Sequence, residues 1–240
     1  MTAAESSPIA FALDFASVDE AERAAVRVRD AIGMVKVGLE LFVEAGPRAL
    51  QIGAACGRPV FLDLKLHDIP ETVERAVARA AALGVSVLTV HASGGPAMLA
   101  RAAKRASAEG GRLTVAAVTV LTSLDAHDLA RTHGTTDDVA THAKRLARMA
   151  WEEGIRAFVC SPHEAKSMRA ELGPEATLIT PGIRPASDAG GDDQKRVATP
   201  ERAIADGADW LVVGRPIRDA ADPLAVARAM RDEALGAKRA

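Results

Sequence analysis

Eight short runs rich in β-branched and aliphatic residues punctuate this chain, with alanine-rich stretches of helical spacing between them. The runs are IAFALDF (9–15), MVKVG (34–38), VFLDLKL (60–66), VLTVHA (87–92), LTVAAVTVL (113–121), AFVCS (157–161), LITPG (178–182) and WLVVG (210–214). In the intervening segments apolar residues recur at i, i+3 and i+4, as in ETVERAVARAAAL, the period of a helix that buries one face. The first five runs begin at 9, 34, 60, 87 and 113, a spacing that accommodates one strand, one helix and two short loops. Eight such units in 240 residues predict an α/β fold, a closed (β/α)8 TIM barrel spanning 1–240 as a single domain, since such barrels typically need ~250 residues. An open doubly wound sheet is the rival, but no glycine-rich dinucleotide fingerprint follows the first run.

Two regions exceed a plain unit. Residues 122–150 are long enough for an extra helix, and IRPASDAGGDDQKRVA (183–198) is a polar loop without apolar periodicity. Loops of that length are often lids over a site. The net charge of −2, the 3% aromatic content and the absence of tyrosine argue against a nucleic-acid partner. No apolar run approaches the ~20 residues of a membrane span. Cys56 and Cys160 lie far apart and make no metal-ligand pattern, so they read as reduced structural thiols. MTAAESSPIA lacks a basic segment followed by an apolar one, so a cytoplasmic enzyme with a small-molecule substrate is expected.

The informative charges stand at strand ends. Side chains alternate across a strand, so Phe61, Asp63 and Lys65 share one face of FLDLKLHDIPETV and Leu62, Leu64 and Leu66 the other. In a barrel the leucines pack under the helices and the charges face inward, near the C-terminal end where barrel enzymes carry their chemistry. The same parity brings Asp14 and Lys36 inward, so four charges from three adjacent strands converge on one mouth. Taken singly, Asp63 and Lys65 could be a structural ion pair. Asp68-Ile69-Pro70-Glu71 also has the spacing of a capping box with proline in the first turn. Two acids beside Lys65 favour its ammonium form, which argues against a Schiff-base lysine and for a positioned proton donor.

Asp63-Leu-Lys65-Leu-His-Asp68-Ile69-Pro70-Glu-Thr72 resembles the signature of the orotidine 5′-phosphate decarboxylase family. Ala12-Leu13-Asp14, Lys36-Val37-Gly38, Leu121-Thr122-Ser123, Thr180-Pro181-Gly182-Ile183-Arg184-Pro185 and Val213-Gly214-Arg215-Pro216-Ile217 are similar to its other blocks, in order along nearly the whole chain. The resemblance implies a barrel enzyme converting orotidine 5′-monophosphate to UMP and CO2, without metal or organic cofactor. It implies that Lys65 protonates C6, that Asp63 lies against the scissile carboxylate, and that Lys36 and Asp14 hold the ribose hydroxyls and the charge array. Asp68 and Thr72 would reach in from the partner of a homodimer whose active sites lie at the interface. Ile69, Thr122, Ser123 and Pro181 would complete the substrate site, and Gln194, in the mobile loop after strand seven, would close over the phosphate.

A phosphate site also follows from barrel architecture, which commonly places one between the loops after strands seven and eight. Those loops carry Arg184 and Gly214-Arg215, and a glycine lets backbone N–H groups approach an anion. His67 reads as a surface residue and His91 as an interior imidazole. Ser161-Pro162-His163-Glu164 and Thr199-Pro200 read as helix starts. Two other functions compete. One is a Mg²⁺-dependent sugar-phosphate decarboxylase or aldolase, which shares D-x-K-x-x-D but uses an acid on strand two where this chain has Lys36. The other is a non-catalytic sensor of phosphometabolites on an intact barrel.

Overall fold

A computed structural model of the chain describes residues 7–185 and 197–237. Its eight strands are β1 (Ile9–Ala12), β2 (Met34–Val37), β3 (Val60–Leu66), β4 (Val87–His91), β5 (Thr114–Val118), β6 (Ala157–Val159), β7 (Thr177–Thr180) and β8 (Trp210–Val213). All pair in parallel and in chain order, and β8 closes onto β1, which makes a (β/α)8 barrel and excludes the open sheet. Each strand falls within the run that predicts it or, for β7, starts one residue earlier. The shortfall is mostly at the C-terminal ends, where the chain leaves the ladder to form the mouth.

The helix Pro70–Ala82 shows why the alanine-rich segments pack outside. Its buried residues Val73, Val77 and Ala80 recur at helical spacing, while Glu71 and Arg79 stay in water. Outward strand residues such as Val35, Leu62, Leu88 and Leu211 meet these helices in the main core. Residues 122–150 do hold an extra helix, Ala126–His133, before the longer Val139–Glu152. Helices also start at Pro162 and Pro200, as their sequences predict. Thr199 Oγ1 accepts from Arg202 N at 3.2 Å.

Asp68 does not cap its helix. Ile69 holds the cap position in extended conformation (φ −56°, ψ 148°), as the proline after it requires, and Asp68 Oδ1 accepts instead from Ile69 N at 2.6 Å. The capping-box spacing is therefore out of step by one residue with the true start.

A second, smaller cluster fills the barrel itself: Ala10, Met34, Phe61, Val87, Ala116, Ala157 and Ile179, with Trp210 and Val212 packed against them. This apolar plug determines where the site lies. Two residues further along each strand the next inward layer begins, with its polar residues gathered on β2, β3 and β4.

Candidate active site

Stepping by two from the plug gives Ala12 on β1 and Asp14 just after it, Lys36 on β2, Asp63 and Lys65 on β3, and Thr89 and His91 on β4. The opposite wall continues as Val118, Val120 and Val159. A cavity of about 860 Å³, counting its open mouth, lies between the two walls. One wall is charged and the other apolar.

The charged wall is a continuous alternation. Asp14 Oδ1 lies 3.5 Å from Lys36 Nζ, which lies 3.5 Å from Asp63 Oδ2. Lys65 Nζ donates to both Asp63 oxygens, at 2.9 and 2.8 Å. Side-chain exposure is 10% for Lys36 and 13% for Asp63 but 29% for Lys65 and 46% for Asp14. The inner pair is therefore desolvated and the outer groups meet the cavity water. Burial pushes the Asp63 carboxyl up, but Lys36, Lys65 and the hydrogen bonds from Lys65 and Thr89 more than offset it. Asp63 is held below the ordinary carboxylate range and is ionised at neutral pH.

The backbone is bent to achieve this geometry. β3 and β4 pair Phe61 with Val87 and Leu62 with Leu88, but then Leu66 with Val90, so four steps on β3 span two on β4. Within that bulge Lys65 has φ +50°, the only positive φ outside glycine among the described residues. Such a conformation costs ~1–3 kcal/mol in a residue with a Cβ and persists where surrounding contacts over-determine it. Here it folds the lysine back over Asp63. Leu62 still packs into the outer core, with Leu64 and Leu66 against it, as alternation predicts.

Gly38 serves the same array, because a Cβ there would stand 3.1 Å from Lys36 Nζ and 3.4 Å from Asp14 Oδ1. Gly182 has φ +80°, a turn that favours glycine, and follows Pro181 where the chain leaves β7. Arg184 N donates to Ala198 O at 3.0 Å and Ala198 N to Gly182 O at 3.1 Å, which joins the two ends of the polar loop.

The cavity lining brings together Asp14, Lys36, Asp63, Lys65, Thr122, Pro181, Arg184, Gly214 and Arg215 of the expected set. Ser123 is exposed beside it and does not line it. Asp68, Ile69 and Thr72 are exposed outside the cavity of their own chain, and Gln194 lies outside the described residues. His67 is exposed and its ring is 5.5 Å from that of His91. Burial, then the neighbouring His67 and Lys65, push His91 below the usual imidazole range; at neutral pH it adds no fixed positive charge. Thr89 and the valines of the apolar wall are not among the expected residues. Their signal was the inward parity of their strands.

Among the charged lining residues Asp14 and Asp63 face Lys36, Lys65, Arg184 and Arg215. This leaves an excess of positive charge on the side of the loops after β7 and β8. Fold and site together define a barrel of the kind that binds a small anionic ligand at its C-terminal mouth and works on it with paired acids and ammoniums. The chain belongs to the orotidine 5′-phosphate decarboxylase / HUMPS family, whose model matches residues 7–230. It is 53% identical over 211 residues to the orotidine 5′-phosphate decarboxylase of Anaeromyxobacter sp. (strain K), covering 88% of this chain and 91% of that one. The crystal structure of the Lactobacillus acidophilus orotidine 5′-phosphate decarboxylase superposes with a TM-score of 0.81 at 35% identity, over 95% of this chain and 99% of that one. An uncharacterised conserved protein from Geobacillus kaustophilus matches with a TM-score of 0.82 at 34% identity, covering 95% of this chain and all of the other.

Proposed function

We propose that this chain converts orotidine 5′-monophosphate to UMP and CO2, the last step of de novo pyrimidine synthesis, with Lys65 as proton donor. The observation that carries this reading is the Asp14–Lys36–Asp63–Lys65 array at one wall of a cavity that also carries Arg184 and Arg215.

The chemistry follows from the charges. The bond from C6 to the carboxylate breaks, CO2 leaves, and the electron pair stays on C6. An ammonium proton of Lys65 moves to C6, and the neutral amine regains a proton from water. A fixed ammonium at the developing carbanion supplies stabilisation without an electron-sink cofactor, and preorganised charge is often the largest catalytic contribution. Ionised Asp63 faces the substrate carboxylate, a repulsion relieved as CO2 departs. Asp63 also holds Lys65 through two short hydrogen bonds, so the donor is aimed before substrate arrives. Lys36 and Asp14 meet the ribose hydroxyls, Thr122 and Pro181 the base, and Arg184 and Gly214-Arg215 the phosphate, with Gln194 and Ser123 as further contacts.

The metal-dependent alternative meets a geometric obstacle. Lys36 Nζ lies 3.5 Å from both Asp14 and Asp63; a divalent cation bridging these carboxylates would have to displace that ammonium.

A homodimer with shared sites belongs to the same proposal. Leu39 (53% exposed), Val43 (81%) and Ile69 (67%) present apolar side chains to water in the segments after adjacent strands β2 and β3. Asp68 and Thr72 stand beside them, off their own cavity but available to a two-fold partner. A reducing, cytoplasmic setting fits the buried cysteines Cys56 and Cys160. The test is loss of the orotidine chromophore with EDTA present. Metal-independent formation of UMP is expected; activity only after adding a divalent cation, or none, would contradict the proposal.

A further inference from the structure

We propose that Thr89 is a positioning residue for this reaction, its hydroxyl holding both the backbone bulge that aims Lys65 and the carboxylate that faces it. The inference rests on the functional reading above but concerns a residue on another strand. Thr89 lies on the inward face of β4 between Val87 and His91 and is fully buried. A hydroxyl in that position needs partners, and Thr89 finds them on one short segment of β3. Its Oγ1 accepts from Lys65 N at 2.8 Å and donates to Asp63 Oδ1 at 2.9 Å.

These two bonds act at the ends of the distorted segment. The bulge takes Lys65 out of the regular ladder, and its amide turns to Thr89. A lysine at φ +50° relaxes toward the β region unless its amide and side chain are both held. Asp63 holds the side chain, and Thr89 holds the amide. The donated bond also fixes which Asp63 oxygen faces β4, leaving Oδ2 for Lys36 and both oxygens for Lys65. A valine would fill nearly the same space and supply neither bond.

The charged and titratable groups around Asp63 are Lys36 on β2, Lys65 on its own strand and His91 on β4, with Asp14 beyond Lys36. Removing the Thr89 hydroxyl removes none of these groups from the chain while deleting one hydrogen bond to the ionised carboxylate. The Asp63 titration midpoint then moves upward.

The experiment compares Thr89→Val and Thr89→Ser with the parent. The valine variant should lose about 10²-fold in kcat through misaimed groups while KM and UMP affinity stay within about threefold, and serine should recover to within about tenfold of the parent. Should valine prevent folding, Thr89→Ala carries the same comparison. Turnover of the hydroxyl-free variant within about threefold of the parent overturns the proposal, as does an equal loss with serine or a parallel loss of UMP affinity. ¹³C NMR of aspartate carboxylates in resting protein gives a readout independent of turnover. The Asp63 midpoint should rise in Thr89→Val, and an unmoved midpoint overturns the role. A parent that leaves orotidine 5′-monophosphate unchanged overturns the functional reading instead, and the titration still decides the role of Thr89.

Discussion

Replacing Asp63 by asparagine keeps the shape of the side chain and removes the charge on which the array turns. Asp63 is 13% exposed and sits 2.8 Å from Lys65 Nζ and 3.5 Å from Lys36 Nζ. At an effective dielectric constant of ~20, opposite charges at these distances attract by roughly 5–6 kcal/mol each before desolvation is counted. Removing one partner of such a buried pair usually costs ~3–5 kcal/mol, because the other charge is left uncompensated. Asp14 still faces Lys36 and Lys65 reaches water, so a loss of about 2–4 kcal/mol is expected, or roughly 5–15 °C in Tm for a chain of this size. Melts should be compared at one protein concentration, because association shifts Tm by mass action. The effect also has a pH signature. The native Asp63 pKa lies below its ordinary value of 3.8; its stabilisation is fully present above that value and is lost as pH falls through the native one. The gap between parent and variant should therefore be full at pH 7 and shrink in acid below pH ~4. An Asp63→Asn protein that melts at or above the parent Tm at pH 7 would refute the reasoning.

Arg215→Ala should weaken turnover of the 5′-phosphorylated substrate by at least ~10²-fold and change that of the nucleoside orotidine little, since phosphate binding energy can reappear in the barrier; equal losses on both would contradict the assignment. Gln194→Ala should show the same selectivity, checked with the same pair of substrates. Lys65→Ala and Asp68→Ala chains, each inactive alone, should regain roughly a quarter of parent activity when refolded together, because about half the dimers are mixed and each mixed dimer has one complete site. Verified mixing without recovery would place Asp68 in its own subunit's site.

The barrel was legible because its two periods coexist in the sequence: alternation along each strand and helical spacing between strands. Alternation alone put Asp14, Lys36, Asp63 and Lys65 at one mouth, and the cavity lining agrees. The backbone at Lys65 was not legible. Nothing in VFLDLKL distinguishes a regular strand from one with a two-residue excess over its neighbour, because the bulge arises from contacts with β4. Asp68 illustrates a different limit. Its D-x-x-E spacing satisfies a capping rule, yet Pro70 holds Ile69 extended and moves the helix start by one residue. Thr89 could have been found, since a hydroxyl in the inward slot of VLTVH needs a polar partner across the barrel. The exposed Leu39, Val43 and Ile69 each look ordinary in sequence and fall on neighbouring segments only when β2 and β3 are side by side.

The central claim is that the Lys65 ammonium delivers the proton to C6, and Lys65→Ala tests it most directly. Single-turnover decarboxylation of orotidine 5′-monophosphate should be measured beside UMP affinity on the same preparation. A general acid acting on the transition state contributes ~10²–10⁴-fold or more, so turnover should fall by at least that factor while UMP binding remains measurable. Turnover within about tenfold of the parent would contradict the account, because a proton donor with that share of the barrier cannot be lost so cheaply.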